Sequence, residues 1–132
     1  AFPPKLFKDD NRVLSDLIKN GKKFNRVTLN GGGDFKRQYQ YGPNCTIKIL
    51  SSIVNGKSTL YNNSGNHIIK LKDLAKMVGS ILGVKVVIKK KLKDKSAPKT
   101  VLINSDLLNK ESKYFLSKQN SLKFYIEEMI NN

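Results

Sequence analysis

Apolar residues recur at helical spacing in four segments of the chain. The clearest segment is 71–82, and Gly83 follows it as a C-terminal stop. Segment 10–20 ends before Gly21, and the segment after Pro43 ends before Gly56. Ser121 precedes the fourth segment, where a serine can cap a helix. We therefore predict four helices, with these apolar faces: Leu14, Leu17 and Ile18; Ile49, Leu50 and Ile53; Leu71, Leu74, Ala75, Val78, Ile81 and Leu82; Leu122, Tyr125, Ile126 and Met129.

Short stretches between these segments carry the alternation and the residue types of β-strands. Residues 26–29, 37–41, 84–88 and 100–104 predict strands, and the stretch that starts at Ser58 predicts a further short one. The glycines 31–33 supply a turn between the first two strands. Short strands alternating irregularly with about four to five helices predict an α/β fold. A length of 132 residues suits one domain, residues 1–132.

The net charge of +15 favours partners that carry phosphate. Only three of the 25 basic residues are arginines, and seven lysines lie between Lys85 and Lys99. Such a lysine run is typical of a solvated face, and a nucleic-acid patch stays open as the alternative. Cys45, the only cysteine, favours a reducing compartment, so we expect a cytoplasmic protein. The longest apolar runs are far shorter than the ~20 residues that span a membrane, so we expect no membrane association.

Candidate chemistry centres on the stretch "NGGGDFKRQYQY", residues 30–41. A phosphate-binding loop needs a helix after its glycines, whereas a strand is predicted here. Arg37 is therefore the better oxyanion ligand, because a guanidinium can grip an oxyanion with two hydrogen bonds. A surface salt bridge is the alternative role. We interpret His67, the only histidine, as a solvated loop residue and predict no metal site.

Three segments in order resemble one known family. Gly31, Gly33 and Arg37 match a Gly-x-Gly-x-x-x-Arg hairpin, and Tyr61 and Asn62 match the end of a strand. Leu74 and Ala75 match the helix that follows, and the tail from Ala97 matches a Pro-Lys step and a closing "Ser-Leu" helix. Together they resemble the C-terminal half of extended short-chain dehydrogenases, the nucleotide-sugar epimerase/dehydratase family.

The resemblance implies a small substrate-binding lobe whose N-terminal Rossmann domain is missing. It implies that Arg37 contacts the substrate diphosphate and that Lys99 helps from the far side. Tyr39 and Asn44 complete the predicted substrate-binding set, and Asn44 is expected to cap the second helix. Tyr114 and Lys118 have the Tyr-x-x-x-Lys spacing of a catalytic pair, but they lie in the wrong lobe for it.

We accordingly expect no catalytic residue and no cofactor in this chain. NAD or NADP is expected in a full-length epimerase, dehydratase or reductase, together with a nucleotide-sugar substrate and a possible homodimer. Two alternatives stay open: a basic RNA-binding module and a structural pseudoenzyme remnant.

Overall fold

The computed structural model describes residues 1–56, 59–90, 100, 102–116 and 118–132. Within these ranges five helices alternate with four strands, which confirms the predicted α/β class. The elements are α1 (Val13–Phe24), β1 (Arg26–Asn30), β2 (Lys36–Tyr39), α2 (Gly42–Val54), β3 (His67–Lys70), α3 (Leu71–Leu82), β4 (Lys85–Lys89), α4 (Asp106–Ser112) and α5 (Leu122–Asn131).

The strands form two small sheets. β1 pairs in parallel with β4, from Arg26 opposite Lys85 to Asn30 opposite Lys89. β2 pairs antiparallel with β3, from Lys36 opposite Lys70 to Tyr39 opposite His67. Helices α1 and α3 pack on β1 and on each other, and α3 also packs on β4.

One apolar core joins these elements. It receives side chains from the N-terminal segment, α1, β1, α3 and α5, so the two ends of the described chain meet in it. Its buried members are Phe2, Leu14, Leu17, Ile18, Val27, Leu29, Leu71, Leu74, Ala75, Val78, Leu122, Tyr125, Ile126 and Met129. The apolar faces predicted for α1, α3 and α5 supply most of this core.

Helix α1 continues through Gly21, so the predicted stop at this glycine is wrong. A Cβ at position 21 would lie 2.5 Å from Leu82 Cδ1, which shows that the glycine allows α1 and α3 to pack closely. The helix ends at Asn25 instead, whose φ of 52° is left-handed.

Two predicted strands are absent from the described residues. Residues 59–63 and the described positions of 100–104 form no ladder. The side chain of Gln38 takes the place of a strand partner at Ile103: Oε1 accepts from its amide at 2.6 Å, and Nε2 donates to its carbonyl at 3.0 Å. β3 was not predicted, and it forms because β2 offers it a complete antiparallel ladder.

Helix α2 is rotated relative to its predicted packing. The predicted apolar face is exposed, with side-chain exposures of 49% at Ile49, 55% at Leu50 and 68% at Ile53. Its buried residues are polar: Asn44, Lys48 and Ser51.

The polar side of α2 is buried because hydrogen-bonding groups face it. Lys48 Nζ donates to the carbonyl of Ser64 at 3.1 Å, and Asn44 Nδ2 donates to the hydroxyl of Tyr125 at 3.0 Å. Buried polar groups are tolerated where they find such partners. The sequence pattern identified the apolar stripe of α2 correctly but not the direction in which it points.

Candidate functional site

A cavity of about 430 Å³ lies between the N-terminal segment, the start of α1 and strand β2. We call it the Arg37 cavity. Apolar side chains from four places form its walls: Phe2, Leu14, Phe35 and Leu71. Its polar side chains include Arg12, Arg37 and Tyr39. A mostly apolar cavity with a few convergent polar groups is typical of a ligand site.

Strand β2 brings Arg37 and Tyr39 to the same cavity because alternate residues of a strand share a face. Phe35, two residues earlier, lies under the guanidinium, with 4.5 Å between Arg37 Cζ and the ring centroid. This cation–π contact and a 3.2 Å hydrogen bond from Nη1 to the carbonyl of Lys36 hold the group in place. No ion pair between described residues involves Arg37.

Arg12 lines the same cavity, but its charge is matched by an ion pair. Its Nε donates to Asp10 at 2.7 Å, and its Nη2 donates to the other carboxylate oxygen at 2.8 Å. These hydrogen bonds hold the pKa of the Asp10 carboxyl far below its ordinary value. The charge of Arg12 is thus matched locally, and the charge of Arg37 is not matched by any described side chain.

Tyr39 contributes a neutral hydroxyl. Burial raises the pKa of this phenol to about 12, although the nearby charge of Arg37 acts in the opposite direction. The hydroxyl therefore stays protonated at neutral pH and can donate a hydrogen bond. The ring packs edge-on against Phe2, with 6.4 Å between centroids.

The glycine loop does not form a phosphate cradle. The amides of Gly31 and Gly32 both donate to the carbonyl of Lys89, at 3.1 and 3.0 Å, so they are not free for an anion. A strand follows the loop rather than a helix, so no helix dipole supports a phosphate there. The residues of this loop therefore do not fit the pyrophosphate of a dinucleotide.

The structure does not bring all the predicted site residues together. Asn44 is buried against Tyr125 and is not part of the Arg37 cavity. It does not cap α2, because the helix begins at Gly42 and Asn44 lies within the first turn. Lys99 lies outside the described residues. The neighbouring Thr100 contacts β2, since its hydroxyl accepts from the amide of Lys36 at 3.0 Å.

His67 is not the solvated loop residue that we expected. It starts β3 and is partly buried, and its Nε2 is buried with no hydrogen-bond partner among the described residues. Burial and the nearby charge of Lys48 lower the pKa of His67. Lys48 is the only charged residue of α2, and it was the one signal in the sequence that the buried side of this helix is polar. The prediction considered only the spacing of apolar residues and did not use Lys48.

The described residues contain no group of His, Cys, Asp or Glu side chains that could hold a metal ion. None of the described helices is long and apolar enough to cross a membrane.

Tyr114 lies in a turn after α4 and is 90% exposed, so no helix places Lys118 beneath its phenol.

The same α/β architecture occurs in solved structures of nucleotide-sugar epimerases and dehydratases. UDP-glucuronic acid 4-epimerase from Bacillus cereus, in complex with UDP-glucuronic acid and NAD, matches with a TM-score of 0.75 and 18% identity, over 92% of this chain and 39% of that one. dTDP-glucose 4,6-dehydratase from Bacillus anthracis, in complex with NAD, matches with a TM-score of 0.77 and 13% identity. This match covers 98% of this chain and 41% of that one.

A third structure, UDP-N-acetylglucosamine 4-epimerase from Bacillus cereus, matches with a TM-score of 0.77 and 13% identity, over 99% of this chain and 43% of that one. The chain thus spans about two fifths of the length of these proteins. The matches confirm, for the fold, the resemblance to extended short-chain dehydrogenases. No protein-family model and no curated protein sequence matches the chain.

Proposed function

We propose that this chain is the nucleotide-sugar-binding lobe of an NAD(P)-dependent epimerase, dehydratase or reductase, and that Arg37 binds the diphosphate. The observation that carries the proposal is that the guanidinium of Arg37 is fixed in position while its charge is unmatched. Its guanidinium is held at the wall of a 430 Å³ cavity by Phe35 and is matched by no described acid. A diphosphate is the ligand group that best fits a fixed guanidinium with free donors.

The other walls of the cavity suit the rest of such a ligand. Aromatic and aliphatic side chains offer packing surface for a base or a sugar ring, and the protonated hydroxyl of Tyr39 offers a donor. The glycine loop cannot take the dinucleotide, so the proposal assigns NAD or NADP to a domain outside these 132 residues. Two of the three structural neighbours described above are complexes with NAD, and one of these also holds UDP-glucuronic acid, which supports this assignment.

The test is a calorimetric titration of UDP-glucose and UDP-glucuronic acid into the polypeptide that carries this chain with its dinucleotide-binding domain. Arg37→Ala should raise the dissociation constant about ten- to a hundredfold, because a charged bidentate contact contributes about 1.5–3 kcal/mol. Arg37→Lys should restore part of the affinity, since lysine keeps the positive charge but lacks the planar pair of N–H donors that binds an oxyanion bidentately.

Arg26→Ala is the matched control, because Arg26 is exposed on β1 and does not line the Arg37 cavity. It should leave affinity unchanged, and NAD binding should be the same in all three variants. An Arg37→Ala protein that binds both sugar nucleotides as tightly as the unsubstituted protein would refute the proposal.

A further inference from the structure

The parallel pair of β1 and β4 has one face in the core and one face that points away from it. Alternate side chains of a strand lie on opposite sides. Val27, Leu29, Val86 and Ile88 pack into the core, on the side of α1 and α3. The other side chains form what we call the β1–β4 outer face: Arg26, Thr28, Asn30, Lys85, Val87 and Lys89. Five of these six residues are exposed, although parallel strands are usually covered on both faces.

Positive charges meet across the strands of this face. Arg26 lies directly opposite Lys85 in the ladder, and Lys89 lies at the far end of β4. Like charges on neighbouring strands repel each other, which lowers the stability of the pair. No ion pair between described residues involves any of these three side chains. The β1–β4 outer face therefore has two cationic ends whose charge no described acid matches.

A pocket of about 310 Å³ opens on the same face. Arg26 and Lys89 both line it, and Val87 and Phe24, which are 39% and 55% exposed, give it apolar surface. The ammonium of Lys23 lies over the ring of Phe24, 5.1 Å from its centroid, and adds a further positive charge nearby. Along the face the order is thus cationic, apolar, cationic.

The spacing of the two cationic ends matches an extended peptide. Arg26 and Lys89 lie at the first and the fifth register positions of the ladder, which are ~13 Å apart at the usual rise of a parallel strand. Residues i and i+4 of an extended peptide have about the same separation, and residue i+2 lies between them on the same side. Acidic residues at i and i+4 would therefore reach both cationic ends, and an apolar residue at i+2 would reach Val87 and Phe24.

We propose that the β1–β4 outer face binds an extended acidic segment of a partner protein, with acidic residues at i and i+4 and an apolar residue at i+2. Charge complementarity and the apolar middle of the pocket favour this ligand over single-stranded nucleic acid, which needs a series of aromatic rings for its bases. The inference does not rest on the proposed function, because no residue of this pocket lines the Arg37 cavity.

The first test is fluorescence anisotropy of the labelled peptide Gly-Glu-Thr-Leu-Thr-Glu-Gly with the 132-residue chain at low salt. Arg26→Ala with Lys89→Ala should raise the dissociation constant about five- to tenfold, because two exposed ion pairs are lost. The matched control is Lys76→Ala with Lys110→Ala, which removes the same charge from exposed positions of α3 and α4. The control should bind as the parent does, and an outer-face variant that binds as tightly as the control would overturn the proposal.

The second test changes the order of residues in the peptide and keeps its composition. Gly-Glu-Glu-Thr-Thr-Leu-Gly has the same charge, but its acidic residues are adjacent and its leucine no longer lies between them. We expect it to bind at least about fivefold more weakly, since it cannot reach both cationic ends and the apolar middle together. Equal affinity for the two peptides would show that the face attracts negative charge without aligning a segment, and the proposal would be wrong.

The double variant also has a readout in the absence of peptide. Arg26→Ala removes the repulsion with Lys85, so Arg26→Ala with Lys89→Ala should melt no lower than the parent. A lower melting temperature would mean that these cations stabilise the fold through partners within the chain, which contradicts the proposal.

Two further measurements identify other occupants. If single-stranded oligouridylate binds the chain more tightly than the acidic peptide does, and the same double variant weakens it, the face binds nucleic acid and the proposal is wrong. If the peptide binds the 132-residue chain but not the longer polypeptide that carries it with a dinucleotide-binding domain, that domain covers the face and the proposal also fails. Retained binding in the longer polypeptide supports it.

Discussion

Arg12 and Arg37 line the same cavity, and their immediate neighbours decide what each can do. Asp10 accepts hydrogen bonds from Arg12, whereas an aromatic ring holds Arg37 without neutralising it. A ring fixes the position of a guanidinium and leaves its edge donors available. Side-chain context, rather than residue type, is therefore the reason why we propose Arg37, and not Arg12, as the anion ligand.

The burial of Lys48 leads to a prediction about stability, also at the scale of a single residue. It is 1% exposed, and its ammonium donates a hydrogen bond to the neutral carbonyl of Ser64. Burial lowers the pKa of this lysine, so the folded protein binds its proton less tightly than the unfolded chain does. We expect Lys48→Met to raise the free energy of unfolding at pH 7 by about 1 kcal/mol, because it removes a buried charge.

The pH dependence follows from the direction of the shift. The penalty for the buried charge is fully present below the lowered pKa, and it disappears as pH rises toward the ordinary lysine value of 10.5. The advantage of Lys48→Met should therefore shrink above neutral pH, which urea unfolding at neutral and at alkaline pH measures. Lys76→Met, at an exposed position of α3, is the control and should change stability little. A Lys48→Met protein less stable than the parent at neutral pH would contradict the prediction.

At the scale of elements, local signals predicted some features and tertiary contacts decided others. Gly83 and Ser121 set helix ends through the conformation and hydrogen bonds of their own residues, and both were predicted. The rotation of α2 depends on Ser64 and Tyr125, which are distant in sequence, so periodicity alone could not give it. The same holds for the candidate site: Arg37 was proposed from its motif, but its contact with the ring of Phe35 became known only from the structure.

The loop between β1 and β2 depends on the small size of Gly33. Its φ is +70°, and a Cβ there would lie 2.5 Å from Leu29 Cδ2 and 2.8 Å from the amide nitrogen of Lys72. Gly56 also has a positive φ, +63°, but a Cβ there would meet nothing within 4 Å. Alanine substitutions at these two glycines therefore separate the free-energy cost of a left-handed backbone from that of a steric clash.

We expect Gly56→Ala to lower the free energy of unfolding by about 1 kcal/mol, the usual cost of a left-handed alanine. Gly33→Ala should cost about 3 kcal/mol, since overpacking against β1 and α3 adds to that strain. Denaturant unfolding of both variants measures the difference. Equal costs would show that the close approach of Gly33 to α3 does not limit the residue type at this position of the loop.

At the scale of the whole molecule, the charge of +15 is the feature that the fold does not explain. Of the lysine run, the structure describes Lys85, Lys89 and Lys90, and all three are exposed. On β4 the exposed lysines alternate with inward-facing Val86 and Ile88, an arrangement that discourages strand pairing at an edge.

We therefore expect RNA binding to be weak, independent of sequence and lost at physiological salt. Filter binding of a single-stranded RNA at two salt concentrations measures it, since affinity falls with a log–log slope of about −0.7 for each phosphate contacted. Replacing Lys89, Lys90 and Lys91 with alanine would flatten that slope by about two units if the run tracked phosphates. Submicromolar affinity that survives physiological salt and disappears in the triple variant would support an RNA-binding protein instead.

The way the core is assembled also bears on how the protein is made. β1 gains its strand partner only when β4 exists, and the core that contains Phe2 is complete only when α5 adds Ile126 and Met129. A chain emerging from the ribosome therefore cannot complete this domain step by step, because early residues must wait for late ones. Until Met129 has left the exit tunnel, the apolar core lacks part of its packing. In that interval we expect the nascent chain to expose apolar segments of the kind that chaperones bind.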